Sequence, residues 1–187
     1  MTVALDTDIS PDLLATARSQ AKVEGLTYSG RVSPQLAWLL FSQGQAQLVD
    51  VRTAEERKFV GHVPGSLHVP WATGTALTRN PRFVRELEAK VKKDEVVLLI
   101  CRSGKRSALA AELAAKAGFS QLYNVLEGFE GEIDDQQHRG NTGGWRHRQL
   151  PWVQDLSPWH PCLACGTSAL TPPGTRSEEH TSELQSH

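Results

Sequence analysis

Several scarcities narrow the reading of these 187 residues before any motif is considered. Cysteine occurs only three times. That odd number does not build a disulfide framework, so a reducing, cytoplasmic setting is expected. Long apolar runs are missing too: the stretch from Val96 to Cys101 is among the longest and is far too short to span a bilayer. No basic segment followed by an apolar run opens the chain, so no secretory signal is expected. Nor is there an excess of either charge. Lys and Arg total 20 against 21 for Asp and Glu, which gives no global argument for nucleic acid or membrane as a partner. What remains is ordinary: 39% apolar residues and 22% charged ones, in a length that suits one globular domain with a real core.

The end of the chain is set aside. Residues 176–187, from Arg176 through Glu178, Glu179 and His180 to His187, read as the in-frame translation of a common sequencing adapter. Residues 156–175 form the tail that precedes it. They hold Cys162 and Cys165, two residues apart with His160 nearby, which could be half of a zinc site or a redox pair. A closed zinc site needs four ligands and there is no second such pair, so no metal is expected.

The rest alternates in character. Ser10 and Pro11 start a helix whose Leu13, Leu14, Ala17 and Ala21 fall near helical spacing and which stops at Gly25. Ser33 and Pro34 start a second, ending at Gly44. Residues 47–51 read as a buried strand, and Thr53 with Glu55 and Glu56 as a capped short helix reaching Phe59. Turn chemistry follows at 61–65, then a short strand at 67–69. Asn80 and Pro81 cap a helix expected to run to about Lys93, with Phe83, Val84, Leu87 and Val91 on one face. Residues 95–100 read as the clearest strand, Val96 to Ile100 being a continuous apolar run rich in β-branched residues, as central parallel strands are. After a loop at 101–106 comes an Ala-rich helix over 107–116, closed by Gly118, and a strand at 121–125. Strands alternating with helices indicate an α/β domain with a mainly parallel sheet. Beyond Gly128 the pattern fades, and Trp145 with residues 150–152 reads as an apolar clasp returning to the core.

The chemistry concentrates at 101–107. Cys101 ends a buried strand, on the edge where open α/β sheets bind ligands. The following helix turns its unpaired N–H groups and positive dipole end toward the loop. Successive backbone N–H groups of such a loop can form an anion-binding concavity. Arg102, Lys105 and Arg106 add three cations, and Gly104 permits a backbone conformation most residues resist. Each of these features favours thiolate over thiol. The combination would activate a sulfur nucleophile and hold a small anion beside it. Alone, a strand-end cysteine is more often a buried, inert apolar residue.

Taken in order, Asp50, Val51 and Arg52, then Glu56, then the turn at 61–65, then the loop at 101–106, resemble the signature of the rhodanese domain over residues 32–155, with Leu126, Glu127, Gly128 and Trp145 included. The resemblance implies a three-layer α/β fold, a mainly parallel five-stranded sheet flanked by helices, preceded here by a helical extension at 1–31. It implies no metal and no organic cofactor. It also implies sulfur transfer through a Cys101 persulfide, from a small anionic sulfur donor to a thiol or protein-thiol acceptor. The backbone of Arg102, Ser103, Gly104, Lys105 and Arg106 would cradle the persulfide, and Arg106 would orient the donor.

Related cell-cycle phosphatases place five residues between Cys and Arg, whereas four separate Cys101 from Arg106, a tighter loop that fits sulfur better than a phosphoryl group. Arg102 stands where mercaptopyruvate-type loops usually carry Gly, which favours thiosulfate or a small persulfide as donor. A binding or redox-signalling module without turnover is the rival reading, motivated by the N-terminal helix that the catalytic core does not obviously need.

Other residues have weaker claims. Asp50 could brace the active loop or merely cap it. Arg52 could pair with Glu56 across the short helix, a structural use, or point at the donor site; the structural use is expected. His62 reads as a fold-defining hydrogen bonder, while His68 and Trp71 could line the pocket mouth or simply pack. The cations at Arg139, Arg146 and Arg148, with His138 and His147, read as a solvated face.

Overall fold

The computed structural model describes residues 11–155, with side chains from Leu14 onward. Cys162, Cys165, His160 and the adapter-like segment lie outside the described residues. Twelve elements follow in order: α1 (Pro11–Glu24), β1 (Gly30–Val32), α2 (Pro34–Ser42), β2 (Gln47–Asp50), α3 (Ala54–Val60), β3 (Leu67–His68), β4 (Ala72–Thr73), β5 (Thr78–Arg79), α4 (Phe83–Glu88), β6 (Val97–Ile100), α5 (Lys105–Lys116) and β7 (Leu122–Val125). Five strands form one sheet in the order β1-β7-β6-β2-β3, every pair parallel; β4 and β5 make a separate antiparallel pair.

The strand pleat sorts the core into two layers, because successive side chains point to opposite faces. Val49, Val51, Val97, Leu99 and Leu122 face α4 and α5, where they meet Phe83, Leu87, Ala110, Ala111 and Ala114. Leu48, Leu98, Ile100, Tyr123 and Val125 face α1 and α2, where they meet Ala17, Ala37 and Leu40. The alanines of α5 let that helix approach the sheet closely. Trp145 is fully buried in the second layer, edge-on to Trp38, with its indole N–H donating to the Pro151 carbonyl at 2.9 Å. The returning chain then pairs His62 with Val153 through two backbone hydrogen bonds.

Three expectations about the elements need correction. The helix expected to reach Lys93 is only α4, Phe83–Glu88. Its N-cap is Arg82, with no side-chain cap bond; the expected cap Asn80 lies in the turn before it, its Oδ1 accepting from the Arg82 N–H at 2.9 Å, while Lys90 and Val91 both donate to the Leu87 carbonyl and tighten the chain into a turn. The helix expected at 107 starts two residues earlier, behind Gly104, which holds the left-handed φ of +93° that its lack of a Cβ allows. The boundary expected at residue 31 cuts through β1. That strand pairs with β7, and α1 packs Ala17 and Ala21 into the buried layers, so the N-terminal helix is part of the core. Among the described residues no helix is long and apolar enough to cross a membrane.

Candidate active site

The pleat that sorts the core also aims the site. Cys101 follows Ile100, so it points to the same face as Leu99, toward α5; Asn124 lies beside Leu99 across the β6–β7 ladder and points the same way. The Cys101 side chain is 1% exposed and lies against the start of α5. The Gly104 N–H donates to its Sγ at 3.1 Å, and the Ser107 Oγ lies 3.2 Å from the same sulfur. Ser107 Oγ is also 2.6 Å from Asn124 Oδ1, while the Asn124 amide nitrogen donates to the Gly104 carbonyl at 3.0 Å. Cys101, Gly104, Asn124 and Ser107 thus close a buried ring of hydrogen bonds of which the sulfur is one member. Ser107 and Asn124 did not enter the sequence-based list of site residues. In the sequence Asn124 shows only as a polar residue inside an apolar strand; its place beside Leu99 follows from the pairing of β6 and β7.

The loop is backed from behind by the turn after β7. Phe129 N–H donates to the Cys101 carbonyl at 2.8 Å and Glu130 N–H to the Arg102 carbonyl at 2.9 Å. Gly128 makes this approach possible: a Cβ there would lie 2.6 Å from the Cys101 and Arg102 carbonyl oxygens, closer than real contacts allow. With those carbonyls engaged outward, the loop is free to turn N–H groups inward. The first N–H groups of α5 have no carbonyl one turn back to bond, since Ala108 N–H is the first to reach one, that of Gly104.

The rim is ionic. Thr53 and Glu56 form a reciprocal cap at the start of α3, and Glu56 also receives both terminal nitrogens of Arg106, at 2.8 and 2.6 Å. Burial pushes the Glu56 carboxyl up, but the hydrogen bonds from Arg106 and the Thr53 N–H overcome it and hold the group at about 2. The same pair raises Arg106 above its ordinary value. Arg106 is therefore already neutralised, which tempers its expected part in orienting a donor. Lys105 is exposed and paired with Glu132 at 3.2 Å. The Arg102 side chain enters no hydrogen bond or ion pair among the described residues, which leaves it the cation of the loop best able to meet an incoming anion.

Arg52 does not pair with Glu56 as expected. Its Nε and Nη2 bind Asp50, at 3.0 and 2.7 Å, and Nη2 also donates to the Gly61 carbonyl at 2.7 Å. Its Nη1 is buried without a hydrogen-bond partner, and the guanidinium carbon lies 4.0 Å from the centre of the Phe129 ring. Arg57 adds a second cation to Asp50 at 3.0 Å. Asp50 and Arg52 thus brace the loops behind the site, and neither reaches the sulfur.

His62 works through its backbone; its Nδ1 is buried and unpartnered. His68 places Nε2 at 2.8 Å from the Arg52 carbonyl, and burial holds its titration below the ordinary value. Trp71 packs on Phe83 and carries the Arg79 guanidinium on its face. No group of three or more His, Cys, Asp or Glu suited to a metal occurs among the described residues.

A parallel five-stranded sheet with a buried cysteine looped onto a helix start is thus in place, and residues 33–132 match the rhodanese-like domain. The chain belongs to the rhodanese-like domain family. An uncharacterized protein of Rickettsia prowazekii, RP600, is 36% identical over 118 residues, which cover 61% of this chain and 88% of that protein. The crystal structure of Rv0390 from M. tuberculosis aligns with a TM-score of 0.62 at 42% identity, over 68% of this chain and 99% of that one. The putative sulfur carrier protein YrkF of Bacillus subtilis is 30% identical over 87 residues, 46% of this chain and 41% of its own. The matched span includes the Cys101 loop, both ionic braces and Ser107. In this rhodanese-like domain Gly144, Trp145 and the clasp that follows lie beyond that span.

Proposed function

We propose that this rhodanese-like domain is a sulfurtransferase that carries a sulfane sulfur on Cys101. The carrying observation is the cradle: a buried sulfur with one N–H already on it, in a short loop that opens a helix. With thiosulfate as donor, the Cys101 thiolate attacks the outer sulfur. A new S–S bond forms to Cys101, the old S–S bond breaks, and sulfite leaves with its electron pair. An acceptor thiolate then attacks the outer sulfur of the Cys101 persulfide, takes it as a new persulfide, and returns the bonding pair to Sγ. The helix start and the loop N–H groups stabilise the negative outer sulfur, and Arg102 meets the donor.

The partners in this reading are a small anionic sulfur donor and a thiol or protein thiol. Neither step calls for a cofactor, nucleic acid or membrane. The four-residue spacing between Cys101 and Arg106 sets the loop apart from phosphatase cradles. The rival reading, a module without turnover, drew on an apparently dispensable N-terminal helix, and the packing of Ala17 and Ala21 gives that helix a structural use instead.

The test is the intact mass of the reduced protein before and after thiosulfate, beside Cys101→Ser. The expected result is a gain of one sulfur atom on the wild type alone, removed by cyanide or a thiol. No gain with thiosulfate or with a small persulfide would overturn the proposal in favour of the binding module.

A further inference from the structure

The ring that includes Cys101 contains one hydroxyl with two claims on it. Ser107 Oγ is 2.6 Å from Asn124 Oδ1 and 3.2 Å from Cys101 Sγ, and a hydroxyl has a single proton to give. Asn124 cannot trade roles. Its amide nitrogen is committed to the Gly104 carbonyl, so the oxygen that faces Ser107 only accepts. With Cys101 as a thiol the arrangement closes in one sense: S–H donates to Ser107 Oγ, and the Ser107 hydroxyl donates to Asn124. With Cys101 as a thiolate that sense fails, because two lone pairs would face one another. Rotation of the Ser107 hydroxyl about its own C–O bond gives Sγ a second donor beside the Gly104 N–H, at the cost of leaving Asn124 Oδ1 without its donor, so the short Ser107–Asn124 contact must lengthen.

We propose that Ser107 is a positioning residue whose hydroxyl changes partners, from Asn124 to Cys101, whenever Cys101 carries negative charge. Cys101, Gly104, Ser107 and Asn124 are all buried, so bulk water does not supply the bond that the hydroxyl supplies. On the sulfur-transfer reading above, which this inference deepens, the charge arises twice per cycle. It is present when Cys101 attacks the donor. It returns when the acceptor takes the outer sulfur and the bonding pair falls back on Sγ. Between those events the inner sulfur of the persulfide is uncharged, and the hydroxyl turns back to Asn124.

The test needs no sulfur donor, so its failure and the failure of the transfer reading are separate results. The ultraviolet absorbance of the thiolate is followed against pH in the full chain as the difference from Cys101→Ser. This removes the contribution of Cys162 and Cys165. Ser107→Ala is expected to raise the midpoint by about one pH unit, a tenfold loss of thiolate on the acid side. Ser107→Thr, which keeps the hydroxyl, is expected to recover most of that shift. An unmoved midpoint in a Ser107→Ala protein that still melts cooperatively overturns the proposal. Should that variant fail to fold, Asn124→Leu decides: loss of the competing acceptor frees the hydroxyl for Sγ and lowers the midpoint, and a rise or no change overturns it.

Discussion

The two flanks of the Cys101 loop are built from opposite materials. On one side, Gly104 and Ser107 meet the sulfur with neutral hydrogen bonds, and Asn124 holds both of them in place, all buried. On the other side, Asp50, Arg52 and Arg57 lock into one ionic cluster, and Glu56 and Arg106 into another nearer solvent. The difference has a physical purpose. The hydrogen bonds to the sulfur come from neutral groups, and the ion pairs lie among other side chains. Glu56 and Arg106 cancel as a pair, while Asp50 holds two cations, Arg52 and Arg57, and both clusters fix the loops that frame the pocket. On the sulfur-transfer reading the ionic flank sets shape and the neutral flank sets reactivity, so the two should fail differently when broken.

Breaking the inner ionic cluster should give the largest effect. Asp50→Asn leaves the fully buried Arg52 without a counter-charge, although the Gly61 carbonyl and the Phe129 ring remain. Removing one partner of a buried pair costs about 3–5 kcal/mol, to be read as a lower urea midpoint with unchanged slope. A loss under about 1 kcal/mol would mean that the carbonyl and the ring suffice, and that the cluster is ornament rather than brace.

The outer pair should give an intermediate effect with a pH signature. Glu56 titrates at about 2 in the folded chain against an ordinary 4.5, so its contribution is fully present above pH 4.5 and is lost as pH falls from there toward 2. Glu56→Gln should therefore lower stability by about 1–2 kcal/mol at neutral pH, discounted because water reaches the pair. The gap between variant and wild type should narrow across pH 4.5 to 2. Thermal melts at several pH values check it; a gap independent of pH would mean that the loss does not come from the ionised carboxylate, and so from neither the Arg106 pair nor the bond from the Thr53 N–H.

These contrasts also mark what was legible in the sequence. The sheet was readable because parallel strands buried on both faces are continuous apolar runs, and 97–100 could hardly be anything else. β1 was not, since three residues that include Gly30 and Arg31 draw their strand character from pairing with β7, not from pattern. β4 and β5 are two residues each and equally silent. Cys101 stood out through its cations and its place between strand and helix. Its actual neighbours did not, because a hydrogen bond such as Ser107 to Asn124 exists only once β7 is laid beside β6. The same holds for Arg106, whose partner Glu56 lies fifty residues upstream, and for Arg52, where the helical spacing to Glu56 suggested a pair that the buried Asp50 outcompetes.

The smallest effect tests the claim that charge outside the braces counts little. Lys105 sits on the first turn of α5, one residue past the glycine that donates to the sulfur, yet its side chain is 78% exposed and its partner Glu132 is 52% exposed. Exposed pairs contribute little, so Lys105→Ala should shift stability by no more than about 0.5 kcal/mol. On the proposed reading, its cationic head lies in water beside the loop that would receive an anionic donor. The KM for thiosulfate is therefore expected to rise a few-fold at low salt, an effect that added salt screens away. Loss of sulfur loading that persists at high salt would mean that Lys105 contacts the donor directly. The line between a neutral cradle and an ionic frame would then have to be drawn one residue further out.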